Sequence, residues 1–96
     1  MERIELINLY DCYSSLLTTK QQHYFEDYYF NDLSLREIAE NENISRNAIF
    51  NQIKKIEEKL NTYESKLHLY NKTKKIKELI KTIDDEKIKK QLEKLE

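Results

Sequence analysis

The sequence contains neither glycine nor proline in its 96 residues. A turn-rich β fold needs glycine where φ is positive and proline where a turn must be preset. Helices tolerate both absences, and they suit a chain in which leucine, isoleucine, lysine and glutamate are abundant. We therefore predict an all-α fold.

The residues that usually build catalytic and metal sites are also scarce. Cys12 is the one cysteine, which excludes a disulfide framework and a thiolate metal site and favours a small core residue. His23 and His68 are far apart in sequence, and the set of ligands that a metal site needs is not expected to converge on either one. Neither a glycine-rich phosphate loop nor a nucleophile elbow is present. We expect no metal, no cofactor and no enzymatic activity.

Long apolar runs are missing as well. No stretch approaches the roughly 20 apolar residues of a membrane span. The first ten residues, MERIELINLY, carry early acidic residues and do not resemble a signal peptide. These features predict a soluble cytoplasmic protein.

Hydrophobic periodicity predicts two helices in the first third of the chain. A helix over residues 2–17 would bury one apolar stripe of Leu6, Leu9, Tyr10, Tyr13, Leu16 and Leu17. Thr18 and Gln21 form a capping box, which predicts a second helix from Thr19 to about Phe30. Its aromatic stripe (Tyr24, Phe25, Tyr28 and Tyr29) is interpreted as core packing in preference to base stacking.

The next stretch has the signature of a helix-turn-helix. Ser34 and Glu37 form a second capping box, and this third helix should end between Asn41 and Asn43. Ile38 and Ala39 supply the apolar and small residues that let two helices cross closely. Asn43 tolerates the left-handed backbone that the turn requires.

A fourth helix follows, with Ser45 as its N-cap and Ile44 and Ile49 as a hydrophobic staple. The candidate nucleic-acid-binding residues of this recognition helix are Ser45, Arg46, Asn47, Asn51, Lys54 and Lys55. Arginine suits guanine edges, asparagine suits adenine edges, and lysine and free helix amides suit phosphate. The alternative is that these are ordinary solvated side chains.

The fourth helix also carries a heptad-like seam of Ile49, Ile53, Ile56, Leu60, Tyr63, Leu67 and Tyr70. The seam predicts a helix that continues to residue 70 or beyond, with Asn61–Thr62 as the one plausible break. It either packs back on the first two helices or pairs with a second chain, and we favour a homodimer slightly. The predicted organisation is a helix-turn-helix domain over 1–60 and a C-terminal helical extension over 61–96.

In this extension the apolar phase changes after the seam. Ile76, Leu79, Ile80 and Ile83 form a new stripe, and Asp84 is the expected N-cap of a last helix with Ile88, Leu92 and Leu95.

Charge is divided unevenly along a chain whose formal net charge is −1. Residues 1–60 hold seven basic and eleven acidic side chains, net −4, whereas residues 61–96 hold ten and seven, net +3. The segment from Lys66 to Lys81 holds six lysines and one glutamate, net +5. This basic segment suits RNA phosphates, an anionic membrane surface or an acidic partner, or is simply a solvated helix face.

Two stretches, LTTKQQHYFEDYYFNDLSLREIAE and ISRNAIFNQIKKIEEKL, resemble region four of bacterial sigma factors. Three stretches, LYDCYSSLLTTKQ, DLSLREIAE and YESKLHLY, resemble the YlxM family of small sigma-like proteins more closely, over about residues 5–72. This resemblance implies an all-helical, sigma-region-four-like helix-turn-helix bundle. It also implies a link to the signal recognition particle, because family members are encoded beside that particle's GTPase genes.

Two functional hypotheses follow from the resemblance and the motif. One is a regulatory or accessory protein that binds DNA or RNA through its helix-turn-helix and acts in the signal recognition particle pathway. The other is a protein–protein adaptor that docks on the particle's GTPase without binding nucleic acid. The chain departs from the usual motif at Glu42, where an apolar residue is typical, and at Asn43, where glycine is typical.

Overall fold

The computed structural model describes residues 3–82 and 86–95, and within these ranges all regular structure is helical. The helices are α1 (Arg3–Tyr13), α2 (Thr19–Tyr29), α3 (Leu35–Glu42), α4 (Arg46–Leu67), α5 (Leu69–Ile80) and α6 (Glu86–Glu93). A single 3₁₀ turn, Ser14–Leu16, follows α1. The all-α prediction is confirmed. None of the described helices is long and apolar enough to cross a membrane.

The first helix is shorter than predicted. The backbone tightens into the 3₁₀ turn after Tyr13, so the side chains that follow no longer keep the 3.6-residue spacing. The expected stripe is buried at Leu6, Leu9, Tyr10, Tyr13 and Leu17, but Leu16 is 50% exposed, and its inclusion was wrong. Glu2 lies outside the described residues.

The predicted caps are present with their hydrogen bonds. Both capping boxes form, with Gln21 N donating to Thr18 Oγ1 over 3.1 Å and Glu37 N donating to Ser34 Oγ over 3.1 Å. In each box the side chain of the third helical residue also accepts a bond from the cap residue's N–H. These reciprocal bonds satisfy amide donors that the first helical turn would otherwise leave free.

α4 is the helix around which the others pack, since it contacts α1, α2 and α3. Its buried residues are Ile49, Ile53, Ile56 and Leu60. They meet an aromatic group in which the rings of Tyr10 and Phe25 stack at 4.3 Å between centroids. The aromatic stripe of α2 therefore packs in the core, as predicted, with Tyr28 at its partly buried edge. Cys12 also packs at the edge of this core.

The heptad-like seam is buried within the chain over its first four positions. Tyr63 and Tyr70 are partly buried against the same core, and Leu67 is 47% exposed. The first four seam residues (Ile49, Ile53, Ile56 and Leu60) therefore need no second chain to bury them, and they no longer favour a homodimer.

Helix 4 passes through Asn61 and Thr62 without the break considered there, because Asn61 Nδ2 donates to Glu57 O over 3.1 Å and stays within the helix. The helix ends instead at His68, whose φ of 53° and ψ of 30° are left-handed. α5 then begins in a new direction and packs against α1. The extension to residue 70 or beyond was wrong, because an apolar pattern continues across this bend.

α5 follows the shifted apolar phase only in part. Ile80 is buried, Ile76 is partly buried and Leu79 is exposed. Ile83 and the proposed N-cap Asp84 lie outside the described residues. α6 packs against α5 with Leu92 partly buried, while Ile88 and Leu95 are exposed.

Candidate nucleic-acid interface

The two helices of the motif cross at Ile38 and Ala39. Ile38 is fully buried and Ala39 nearly so, and the equally buried Ile49 closes the crossing from α4. Asn43 adopts φ 57° and ψ 43°, as the turn requires, and Ile44 N donates to Ala39 O over 3.1 Å. Ile44 itself is 41% exposed, so it covers the turn less completely than a staple would.

Ser45 caps α4 by accepting a hydrogen bond from Ala48 N over 3.1 Å. This bond satisfies the Ala48 N–H. The backbone N–H groups of Arg46 and Asn47 have no acceptor within the helix and point outward from its start. A helix N-terminus of this kind also carries a partial positive charge. Ser45 is exposed, so this end of α4 is accessible.

All six predicted contact residues are exposed. With about 100° of rotation per residue, Asn47, Asn51 and Lys54 fall within an arc of about 60° opposite the buried isoleucines. Arg46 and Lys55 flank this arc on opposite sides. Phe50, 44% exposed, lies between Arg46 and Lys54. The structure thus brings the predicted residues onto one continuous outer surface of α4.

The charges on this surface are not equivalent. Lys54 Nζ lies 3.8 Å from Glu57 Oε1 and 5.6 Å from the centroid of the Phe50 ring. Glu57 is held in turn by Tyr29, whose hydroxyl donates to Glu57 Oε2 over 2.6 Å. Lys54 is therefore positioned and partly neutralised, whereas Arg46 and Lys55 take part in none of the ion pairs formed among the described residues.

The Tyr29–Glu57 bond was not anticipated from the sequence, since 28 residues separate its partners. Burial and the neighbouring Glu57 carboxylate both raise the pKa of the Tyr29 hydroxyl. Tyr29 therefore stays protonated and keeps donating at physiological pH. Its bond fixes the carboxylate that pairs with Lys54.

Acidic side chains surround the interface. Glu37, Glu40 and Glu42 are exposed on α3, and Glu58 is exposed two turns beyond Asn51 on the outer face of α4. The Arg36 Nε–Glu40 Oε1 pair at 3.4 Å neutralises only one of these carboxylates. The surface thus combines hydrogen-bonding amide side chains with few uncompensated cations.

Lys55 also lines a groove between α2 and α4. The other lining residues are Gln21, Gln52, Glu58, Lys59, Thr62 and Tyr63. The sequence pattern did not indicate this groove, because it is made by the approach of the α2 N-terminus to the middle of α4. Elsewhere, no group of three or more histidine, cysteine or carboxylate side chains within residues 3–82 and 86–95 is arranged to hold a metal.

Comparison with known proteins agrees with this architecture. A family model for UPF0122, described as "Putative helix-turn-helix protein, YlxM / p13 like", matches residues 1–96. A UPF0122 protein of Fusobacterium nucleatum is 52% identical over 63 residues, covering 66% of this chain and 61% of the relative. Relatives from Malacoplasma penetrans and Listeria innocua are each 54% identical, over 57 and 56 residues and 53% and 51% of their own lengths. The matches thus span little more than half of these relatives.

The fold and the crossing of α3 with α4 define a helix-turn-helix protein. Within that class the chain belongs to the UPF0122 family of YlxM/p13-like proteins. The resemblance to the YlxM family found in the sequence is therefore confirmed.

Proposed function

We propose that this protein is a nucleic-acid-binding regulatory or accessory factor that uses the start of α4 as its recognition surface. The observation that carries the proposal is the exposed cluster of Arg46, Asn47 and Asn51 beside the free amides of the helix start. Arginine and asparagine make the bidentate contacts that distinguish guanine and adenine edges in the major groove. Lys54 and Lys55 supply phosphate contacts on the flank.

A role in the signal recognition particle pathway is the more specific part of the proposal, and it rests on the resemblance to YlxM-type proteins. It makes the particle's RNA a target to test beside DNA. We also propose a cytoplasmic location, because the signal recognition particle pathway begins in the cytoplasm. A homodimer also remains a proposal, for which light scattering at high protein concentration is the measurement.

The test is binding to fluorescent duplexes selected from a random DNA pool, and to the particle's RNA, at several salt concentrations. Binding should weaken steeply with salt, with each phosphate contact adding roughly 0.9 to the logarithmic slope for DNA. Arg46→Ala should lower affinity for the selected sequence by about tenfold or more. Arg36→Ala is the matched control, because it removes the same charge from an exposed position on α3 whose partner is Glu40.

Equal effects of Arg46→Ala and Arg36→Ala would show that only overall charge matters and would reject α4 as the recognition surface. Absence of binding to every nucleic acid at low salt would reject the proposal as a whole.

One observation favours the second candidate, a protein–protein adaptor that docks on the particle's GTPase. Residues 1–60 carry a net charge of −4, which repels phosphate but is compatible with a basic protein surface. Binding of the nuclease-treated protein to the purified GTPase, unchanged by Arg46→Ala, would establish the adaptor in place of the nucleic-acid factor.

A further inference from the structure

The outer side of α5 combines exposed leucines with lysines at helical spacing. Leu69, Lys72, Lys75 and Leu79 are separated by three, three and four residues, which places them on one side of the helix. Leu69 is 44% exposed and Leu79 is 64% exposed, and both lysines are exposed. We call these four residues the lysine–leucine face.

The opposite side of α5 is the one that packs on the protein. Tyr70 is partly buried against the core, and Asn8 Nδ2 donates to its hydroxyl over 3.4 Å. Ile80 is buried and Ile76 partly buried on the flank next to Leu69, and α6 also packs against α5. The part of the lysine–leucine face formed by Lys72, Lys75 and Leu79 points away from α1 and is therefore left uncovered by it, while the helix is already folded and docked.

Charge separates this face from the rest of the chain. The segment Lys66–Lys81 is net +5, and its one acidic residue, Glu78, lies about a third of a turn away from the centre of the face. Neither Lys72 nor Lys75 forms an ion pair among the described residues. Residues 1–60 are net −4, so an anionic surface would attract α5 and repel the helix-turn-helix.

The composition of the segment favours lipid over RNA among anionic partners. Recognition of RNA relies on aromatic rings and arginine planes that stack on bases. No arginine follows Arg46, no aromatic residue follows Tyr70, and Tyr70 itself is partly buried. Lysines with exposed leucines are instead the combination that places charges at headgroups and aliphatic side chains at the acyl boundary.

We propose that α5 binds an anionic phospholipid surface through the lysine–leucine face. Lys72 and Lys75 contact the headgroups, and Leu69 and Leu79 enter the boundary with the acyl chains. The acidic domain that carries α4 is then held away from the membrane. This activity does not depend on nucleic-acid binding by α4.

The full-length protein is tested by co-flotation with phosphatidylcholine vesicles with and without phosphatidylglycerol. Binding should require phosphatidylglycerol and weaken with salt. The double change Lys72→Gln with Lys75→Gln should lower the partition coefficient about thirtyfold, since each lysine near such a surface contributes roughly fivefold. Leu79→Asn should lower the partition coefficient several-fold, because it removes the apolar side chain that enters the acyl boundary. The Leu79 side chain is 64% exposed in the free protein, so its replacement should leave the fold intact.

Two matched controls come from the acidic domain. Ile4→Asn removes a side chain that is 70% exposed on α1, and Lys20→Gln removes an exposed lysine from α2. Neither change should affect vesicle binding, and Arg46→Ala should not affect it either. Circular dichroism of each variant confirms that its helices are retained.

The proposal is overturned if the protein ignores anionic vesicles, binds neutral ones equally well, or is unaffected by the lysine changes. It is also overturned if the lysine changes abolish binding to RNA oligonucleotides while Leu79→Asn has no effect on either ligand. That result would assign the segment to RNA phosphates. If the protein binds anionic vesicles but no nucleic acid, the proposed function of α4 is rejected and the phospholipid proposal for α5 stands.

Discussion

Replacement of Tyr13 by phenylalanine should release the start of α5 from α1. The Tyr13 ring is fully buried, and its hydroxyl donates to Glu64 Oε1 over 2.8 Å and accepts from Leu69 N over 2.9 Å. Glu64 Oε1 also accepts from Tyr70 N over 3.2 Å. One hydroxyl and one carboxylate thus cap α5 at the bend, where His68 makes no side-chain cap bond.

The magnitude follows from these bonds. Phenylalanine keeps the buried ring but removes a hydrogen bond to a carboxylate, which contributes roughly 1.5–3 kcal/mol. It also leaves the Leu69 amide without its acceptor, a loss of about 1 kcal/mol. Part of this is recovered because water reaches the released helix end. We expect a loss of roughly 2–3 kcal/mol in the docking of α5.

Hydrogen exchange measures this loss locally, and urea denaturation measures it for the whole chain. Amides in the first turns of α5 should exchange roughly thirtyfold or more faster in Tyr13→Phe, while amides of α3 should change little. Tyr63→Phe is the matched control, since its hydroxyl makes one exposed bond of 3.4 Å to Leu16 O. If Tyr13→Phe and Tyr63→Phe have the same effect, the hydroxyl of Tyr13 does not hold the bend.

Two further predictions concern backbone strain and pH. His68→Gly should raise the free energy of unfolding by about 0.5–1 kcal/mol, because glycine adopts the left-handed conformation at His68 without steric cost; a lower urea midpoint would contradict this. Burial and the nearby Glu26 raise the pKa of Tyr10 to about 12. The folded state therefore holds this proton more tightly, and the resulting stability, present below pH 10, should disappear as pH rises towards 12. Tyr10→Phe should make that dependence shallower, with Tyr29 still contributing, when unfolding is measured across this range, and an unchanged slope would refute the assignment.

The parts of the fold that could be predicted are those encoded by neighbouring residues. A capping box needs two residues three apart, so Thr18–Gln21 and Ser34–Glu37 could be identified from the sequence. The left-handed turn at Asn43 follows from the tolerance of asparagine for that conformation. The outward position of Asn47, Asn51 and Lys54 follows from helical period alone.

The parts that could not be predicted depend on residues far apart in the chain. The bonds of Tyr13 join positions separated by 51 and 56 residues. Leu67 and Tyr70 continue the heptad-like spacing, so periodicity cannot show that the helix ends between them. The end at His68 depends on a left-handed backbone that the apolar pattern does not reveal, and the bonds from Leu69 N to the Tyr13 hydroxyl and from Tyr70 N to Glu64 hold the chain beyond it.

The bend changes what the apolar pattern implies about partners. Ile49, Ile53, Ile56 and Leu60 are buried by α1, α2 and α3, so a second chain could reach them only by displacing those helices. Exposed apolar side chains lie further along the chain at Leu67, Leu69 and Leu79, and also at Ile4 in α1 and Phe30 at the C-terminal end of α2. Leu67, Leu69 and Leu79 lie among lysines, whereas the proposed recognition surface of α4 lies among carboxylates. A homodimer built on Leu67, Leu69 and Leu79 would compete with the proposed phospholipid binding, whereas one built on Ile4 or Phe30 of the acidic domain would not.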